Sequence, residues 1–223
     1  MNVSDRMLMQ RIMAAGAMED EEVRGLAKRL TGEDMAASDV DQMVNKLAQN
    51  IRPFALDVRR GMFDDGKMYL SVVNTSNDTL TAFGSSFKPW EIVFLRKAIE
   101  EIVETDQGAL EESDLYNLRK GSTTLNEVEE LLRKLAAEKW LSPSVVRLPT
   151  RSFTLGPRVF LELITFLRDL QVKKCPICQY ELLQGARCQS KNCETVAHHG
   201  CIQKYGSRGI LYRCPTCRNE FRQ

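Results

Sequence analysis

Residues 175–217 read CPICQYELLQGARCQSKNCETVAHHGCIQKYGSRGILYRCPTC, and they contain all seven cysteines and both histidines of the 223-residue chain. Zinc in proteins takes four ligands, and a Cys-x2-Cys turn places two sulfurs on one metal. The candidate ligands are Cys175, Cys178, Cys188, Cys193, His198, Cys201, Cys214 and Cys217. These residues are enough for two complete sites, so we predict two Zn²⁺ ions as cofactors.

Disulfide bonds are the other common use of clustered cysteines. Seven cysteines would leave one thiol unpaired, and the sequence shows no secretory signal. We therefore expect an intracellular protein in a reducing compartment, where free thiolates can hold zinc. The sequence has no run of 18 apolar residues, so we expect no membrane partner.

The spacing leaves two ways to divide the ligands. The first four could bind one metal and the last four the other, or alternate pairs could bind each metal. Only one histidine ligand is needed, and either His198 or His199 could supply it. We favour His198, because its two-residue gap to Cys201 matches the spacing of the other turns.

The first 170 residues carry two copies of one pattern. Apolar residues at helical spacing predict helices at residues 4–17, 18–32 and 38–51, then at 88–105, 111–120 and 124–138. Ser4 or Asp5 is the expected cap of the first helix, and Thr124 with Glu127 predicts a capping box at the last. Each set of three helices is followed by apolar residues that predict a hairpin, at 54–72 in the first copy and 140–155 in the second. In the second hairpin, Trp140, Leu141, Val145 and Val146 are expected to lead into the first strand. Three helices followed by a hairpin predict a winged helix. A last helix at 157–170 should pack on the second copy.

The predicted fold is therefore mainly α with small β wings. We expect a first winged-helix domain at residues 1–84, a second at 85–170 and a two-zinc finger at 171–223.

Charge favours protein partners over DNA. Residues 171–223 carry nine Lys or Arg against three Asp or Glu, so their net charge is +6 and that of residues 1–170 is −5. The third helix of the second winged helix is acidic, with Glu127, Glu129, Glu130 and Glu138 against Arg133 and Lys134. Direct DNA binding needs concentrated positive charge. We therefore interpret the winged helices as a docking scaffold for a protein, with direct DNA binding as the alternative.

The ligand order of four cysteines, one histidine and three cysteines resembles the cross-braced RING and PHD fingers. This resemblance implies Cys175, Cys178, His198 and Cys201 on one zinc and Cys188, Cys193, Cys214 and Cys217 on the other. A PHD-like reader of basic histone tails needs acidic residues, and only Glu181 and Glu194 lie between the first and last ligands. The RING interpretation therefore fits better.

The RING resemblance implies a surface that binds a ubiquitin-conjugating enzyme. Its positions are Ile177 inside the first turn, Pro215 inside the last turn and Arg218 just after the final ligand. RING modules act by orienting a ubiquitin-loaded enzyme, so no catalytic nucleophile is implied. The four-residue gap between Cys188 and Cys193 departs from the commonest RING pattern.

The whole chain resembles the RING-containing non-SMC element subunit of the Smc-five/six complex, with tandem winged helices and a C-terminal variant RING. The resemblance implies a nuclear, chromosomal protein of recombinational DNA repair. It also implies a heterodimer with a MAGE-type subunit, a kleisin-type subunit nearby, and a ubiquitin-ligase role, alone or with the MAGE-type partner. DNA would be contacted weakly or through the complex. The alternative is a zinc-stabilised assembly module without ligase activity.

Overall fold

The first part of the chain is a winged helix. The computed structural model describes residues 1–32, 35–75, 87–146, 148–207, 209 and 211–221. The first elements are α1 (Val3–Ala15), β1 (Met18–Glu19), α2 (Asp20–Thr31), α3 (Ala37–Ile51), β2 (Leu56–Met62) and β3 (Met68–Asn74). The predicted hairpin is formed by β2 and β3, and β1 adds a third antiparallel strand beside β3.

The second part repeats this order. Its elements are α4 (Pro89–Glu104), β4 (Leu110–Glu111), α5 (Glu112–Asn117), α6 (Leu125–Ala137), β5 (Leu141–Pro143) and β6 (Ser152–Leu155). The strand order β4-β6-β5 matches the order β1-β3-β2 of the first sheet. The prediction of tandem winged helices is confirmed. Sequence reasoning missed β1 and β4, because a two-residue strand contains no alternating pattern.

Local capping explains where α6 starts and where α2 ends. The α6 helix begins with the predicted capping box, in which the Thr124 hydroxyl accepts the Glu127 N–H and the Glu127 carboxylate accepts the Thr124 N–H at 2.8 Å. The α2 helix ends at Gly32, whose φ of 74° is left-handed and whose N–H donates to Lys28. At α1 the predicted cap, Ser4 or Asp5, is wrong: Asn2 caps the helix, and Asp5 closes the box from inside it.

Each winged helix has its own apolar core. The buried face of α3 supplies Val40, Met43, Val44 and Leu47 to the first core, where they meet Leu8, Ile12, Val23, Ala27 and Leu70. The second core is larger and surrounds Trp140 and Phe153, which are both almost fully buried. Burial of these stripes, at about 25 cal/mol per Å² of apolar surface, is the main force holding the helices on their sheets.

Two details of the second winged helix differ from the prediction. We expected Val145 and Val146 to lead into a strand, but β5 ends at Pro143. The Ser144 hydroxyl accepts the Val146 N–H, and the Val145 N–H donates to Gln184 in the zinc segment. These bonds replace strand pairing with a turn that docks on the finger.

The last predicted helix is divided at Leu163, where φ is −106° and ψ is 28°, into α7 (Pro157–Glu162) and α8 (Ile164–Asp169). Around the break, neighbouring side chains of this segment are buried against two different cores. Leu161 packs with Ala17 and Val73 of the first winged helix, whereas Leu163 joins the core of the second. We expect this helix to pack on the second winged helix, and the structure shows that it contacts the first as well.

The finger follows this helical segment and contains little regular structure. Its described residues form a short hairpin, β7 (Ala186–Arg187) with β8 (Val196–Ala197), and the helix α9 (His199–Gly206). Its core consists of the ligand cysteines with Leu182, Ala197, Ile202 and Phe221, and Met62 and Met68 of the first winged helix pack against them. A core this small is typical of folds that need metal to become stable.

The tip of the β2–β3 hairpin is the point where all three parts meet. Phe63 packs edge to face against Phe160 of α7, with ring centroids 5.6 Å apart, and lies in the core of the second winged helix. The next residue, Asp64, accepts N–H groups from the finger residues Leu183 and Gln184. The tip therefore contacts both the second winged helix and the finger.

Among the described residues, no helix is both long and apolar enough to cross a membrane. The predicted boundary at residues 84 and 85 lies outside the described residues, which stop at 75 and resume at 87. The division into 1–84, 85–170 and 171–223 therefore stays a prediction.

Candidate metal centre

The fold brings the eight predicted ligands into two groups. One contains Cys175, Cys178, His198 and Cys201, and the other contains Cys188, Cys193, Cys214 and Cys217. Within each group the candidate ligand atoms all lie within 4.8 Å of one another. The grouping is the alternating one, with first and third pairs together and second and fourth pairs together. His199, the competing histidine, is exposed at the start of α9 and belongs to neither group.

The first and last pairs sit on two copies of the same turn. Cys175 N–H donates to Tyr180 at 2.9 Å, and Cys214 N–H donates to Asn219 at 2.8 Å. The residue after each second cysteine has a left-handed backbone, with φ of 64° at Gln179 and 61° at Arg218. A local repeat in the sequence, KCPICQYE at 174–181 and RCPTCRNE at 213–220, therefore gives two knuckles of the same shape.

The distances fit tetrahedral zinc. Bonds of about 2.3 Å to a common zinc place two sulfurs roughly 3.8 Å apart. The sulfurs of Cys188 and Cys217 are 3.4 Å apart, and those of Cys193 and Cys214 are 3.6 Å apart. In the other group His198 Nδ1 lies 3.3 Å from the Cys178 sulfur and 3.9 Å from that of Cys201. All seven thiols are free. The donor set and its spacing both suit zinc.

The two groups differ in burial. Three ligands of the histidine-containing group are buried, namely Cys175, His198 and Cys201, against two of the four-cysteine group, Cys188 and Cys214. The histidine-containing group also lies against the hairpin of the first winged helix, where Gly66 meets Gly200. The first group is therefore the one that couples the finger to the rest of the fold.

In each group the electrostatics lower the pKa of some thiols, including Cys175 and Cys214, and raise the pKa of others, namely Cys201 and Cys188. Contacts with the Cys178 and Cys201 sulfurs lower the pKa of Cys175 well below its usual range. Burial opposes ionisation of Cys214, but hydrogen bonds from Thr195 and from the backbone of residues 216 and 217 outweigh it and lower its pKa to about 6. Thiolate is the form that binds zinc.

His198 also faces a carboxylate that sequence reasoning missed. Its Nε2 lies 3.8 Å from the Asp64 carboxylate, whose side chain is 1% exposed. Burial lowers the pKa of His198, but the Cys175 and Cys178 sulfurs outweigh it and raise the value to about 9. Burial raises the pKa of Asp64 to about 7. The only local signal at this position was the turn residues Asp65 and Gly66, which predict a hairpin and indicate nothing about a partner in the finger.

The three residues implied by the RING resemblance lie on the two knuckles. Pro215 and Arg218 are exposed on the last knuckle, and Ile177 on the first is half-buried against the finger core. Arg218 borders an open polar depression together with Gln189, Ser190 and Asn219. An exposed proline and arginine leave this end of the finger accessible to a partner.

Two family patterns match the chain. The family described as "Nse1 non-SMC component of SMC5-6 complex" matches residues 5–121, and a RING-like domain matches residues 175–217. Together they cover nearly all of the first winged helix, part of the second and the stretch of the finger that contains the eight ligands.

Individual relatives extend the match over nearly all of the chain. The rat "Non-structural maintenance of chromosomes element 1 homolog" is 28% identical over 96% of this chain and 82% of its own length. The human homolog is 26% identical over the same shares, and the protein of Schizosaccharomyces pombe is 26% identical over 88% of each chain.

A solved structure described as the "Nse1-Nse3-Nse4 complex" contains a chain with the same fold. The two chains share a TM-score of 0.79 and 26% identity, and the match covers 100% of this chain and 98% of that one. Family patterns, relatives and fold agree. The chain belongs to the Nse1 family, the RING-like non-SMC components of the SMC5-6 complex.

Proposed function

We propose that the protein holds two structural zinc ions and acts as a RING-type ubiquitin-ligase subunit of an SMC5-6 complex. The observation that carries the proposal is the pair of four-ligand groups, which share the alternating arrangement of cross-braced RING fingers. One zinc would bind Cys175, Cys178, His198 and Cys201, and the other Cys188, Cys193, Cys214 and Cys217. A zinc ion with four protein ligands has no open position, so its contribution is to fix the fold.

The ligase role would be exerted by orientation. Ile177 and Pro215 would contact a ubiquitin-conjugating enzyme, and Arg218 would bridge the enzyme and its ubiquitin. Holding the thioester in a reactive geometry converts a flexible encounter into an effectively unimolecular reaction. Because each knuckle supplies two ligands to one of the sites, zinc would fix the backbone that carries these three residues.

The winged helices would dock the partners of the complex. A chain of the same fold occurs in an Nse1-Nse3-Nse4 complex, so we infer that this protein binds a MAGE-type counterpart of Nse3 and a kleisin-type counterpart of Nse4. The net charge of −5 over residues 1–170 supports a protein partner over DNA. In this assembly the protein would act on chromosomes in the nucleus, in recombinational DNA repair. Copurification of the co-expressed subunits tests the docking directly.

A ubiquitin-discharge assay on the purified complex tests the ligase role. Arg218→Ala should slow discharge of a loaded conjugating enzyme by about tenfold, which corresponds to ~1.4 kcal/mol of transition-state stabilisation. Ile177→Ala should slow it similarly. The matched control is Gln179→Ala, because Gln179 has the same left-handed backbone on the other knuckle and is also exposed. Unchanged rates for both Ile177→Ala and Arg218→Ala would contradict the proposed surface.

A purely structural finger is the second candidate. The hydrogen bonds from Leu183 and Gln184 to Asp64 favour it, because they make the finger part of the scaffold. It predicts that Cys214→Ser weakens assembly of the complex, while Ile177→Ala and Arg218→Ala have no effect on any readout. The discharge assay and copurification therefore separate the two candidates.

A further inference from the structure

The buried carboxylate of Asp64 does not stabilise the hairpin turn. The neighbouring Asp65 already stabilises the turn, since it accepts the Lys67 N–H at 2.9 Å and the Tyr69 hydroxyl at 2.8 Å. Asp64 points away from the turn into the finger, where it accepts the Leu183 N–H at 3.2 Å and the Gln184 N–H at 3.0 Å. Burying a charge is costly unless it is paired, so this position calls for a partner.

His198 is the group that Asp64 faces. Its Nδ1 is directed at the Cys178 and Cys201 sulfurs, so Nδ1 is the nitrogen available to a metal. Its Nε2 is buried and makes no hydrogen bond to any described part of the chain. The Asp64 carboxylate lies 3.8 Å from this nitrogen, whereas the sulfurs face Nδ1. Histidines that bind metal commonly direct their other N–H at a carboxylate, which fixes the tautomer and the ring orientation.

The backbone holds the two residues in place. A Cβ on Gly66, two residues after Asp64, would lie 2.9 Å from the Gly200 Cα, so hairpin and finger are in backbone contact there. Gly200 lies between His198 and Cys201 in the sequence. Met62 and Met68 pack on the finger core from the two strands of the same hairpin. Asp64 therefore cannot move away from His198 without separating this interface.

We propose that Asp64 is a positioning residue for the zinc site of Cys175, Cys178, His198 and Cys201. It holds the proton of His198 on Nε2 and leaves Nδ1 free for zinc, so a residue of the first winged helix sets the metal affinity of the finger. The inference rests on the proposed zinc binding. It makes the two sites unequal, because no described residue outside the finger makes a hydrogen bond or ion pair with a ligand of the four-cysteine site.

The test measures the zinc affinity of each site separately in the full-length protein. Asp64→Asn should weaken zinc binding at the histidine-containing site by about 10- to 100-fold and leave the four-cysteine site unchanged. Competition with a chromophoric chelator gives the two affinities, and cadmium NMR of the ¹¹³Cd-loaded protein identifies which site has changed. The matched control is Asp65→Asn, the adjacent carboxylate of the same turn, which should leave both affinities unchanged.

The position of the proton on the His198 ring provides a readout that a merely structural role of Asp64 would not alter. In the zinc-loaded wild type, long-range ¹H–¹⁵N NMR should show His198 protonated at Nε2 and metal-bound through Nδ1. The inference is overturned if Asp64→Asn leaves both affinities unchanged, if it weakens both sites equally, or if zinc binds through Nε2. A wild type that binds no zinc would instead overturn the proposed zinc function itself, so the two failures are distinguishable.

Discussion

Gly66 in the hairpin turn and Gly200 in the finger meet backbone to backbone. A Cβ built on Gly66 would lie 2.9 Å from the Gly200 Cα, and one built on Gly200 would lie 2.8 Å from the Gly66 Cα. No side chain fits between these two segments. The contact joins the first winged helix to the stretch between two candidate zinc ligands, so the finger and the scaffold behave as one structural unit at this point.

Gly66→Ala should therefore lower the free energy of unfolding. Gly66 has φ of +81°, and Gly32 has a similar φ of +74° with nothing within 4 Å of an added Cβ. Both substitutions introduce backbone strain, but only Gly66→Ala also introduces a clash. Denaturant unfolding should show Gly66→Ala to be about 1–3 kcal/mol more destabilising than Gly32→Ala. Equal losses for the two variants would contradict the close contact.

Gln184 links the finger to the second winged helix. Its side-chain amide donates to the Gln107 carbonyl at 3.1 Å and to the Ser144 hydroxyl at 2.8 Å, and its carbonyl oxygen accepts the Val145 N–H at 3.2 Å. Gln184→Leu should lower the free energy of unfolding by about 1–3 kcal/mol, because it leaves buried polar groups without partners. Gln203→Leu, at an exposed position of α9, is the control and should change the free energy of unfolding by less than about 0.5 kcal/mol.

Much of the fold could be predicted from sequence, because the long helices carry regular apolar stripes. The inward face of α3 and the capping box of Thr124 and Glu127 are local patterns, and the structure confirms both. The hairpin across Asp65 and Gly66 follows from alternation and turn residues in the same way. These features depend on neighbours a few positions apart, so a single sequence contains the necessary signal.

The contacts between the parts could not be predicted in this way. Asp64 and Leu183 are 119 positions apart, and no local pattern indicates that a turn residue will be buried in the finger. For the same reason the sequence predicts a strand at Val145, where the structure has a turn whose Val145 N–H donates to Gln184. The ligand residues themselves were evident from spacing, but their alternating division was implied only by resemblance to cross-braced fingers.

Acid should remove a stabilising contribution from α1. Burial raises the pKa of Asp5, but hydrogen bonds from the Asn2 N–H and from Lys46 outweigh it, so the folded-state pKa lies below the ordinary value of 3.8. A carboxylate with a lowered pKa stabilises the fold above its unfolded pKa, and this contribution is lost as pH falls through the folded value.

Denaturant unfolding of wild type and Asp5→Asn at several pH values checks this effect. The wild type should be the more stable protein at pH 6, and the difference should shrink as pH falls below about 4. Comparing the two proteins at each pH cancels the loss of zinc, which acid causes in both. A difference that stays constant down to pH 3 would contradict the role of the ionised carboxylate.

Removing zinc should loosen the finger and its contact with the hairpin but spare the winged-helix cores. Neither helical core contains a ligand cysteine, so helical circular dichroism should change little when a chelator is added. Hydrogen exchange should accelerate at the Leu183 and Gln184 amides, which donate to Asp64. Amides of α6 provide the internal control and should keep their protection. Equal acceleration throughout the chain would mean that zinc supports the whole fold.

The central claim is that two zinc ions organise the finger. Elemental analysis of the purified full-length protein tests it most directly, and the account predicts two zinc atoms per chain. Cys178→Ser and Cys193→Ser, which change one ligand in each group, should each reduce that number toward one. A wild-type protein that is folded and contains fewer than two zinc atoms per chain would contradict the claim.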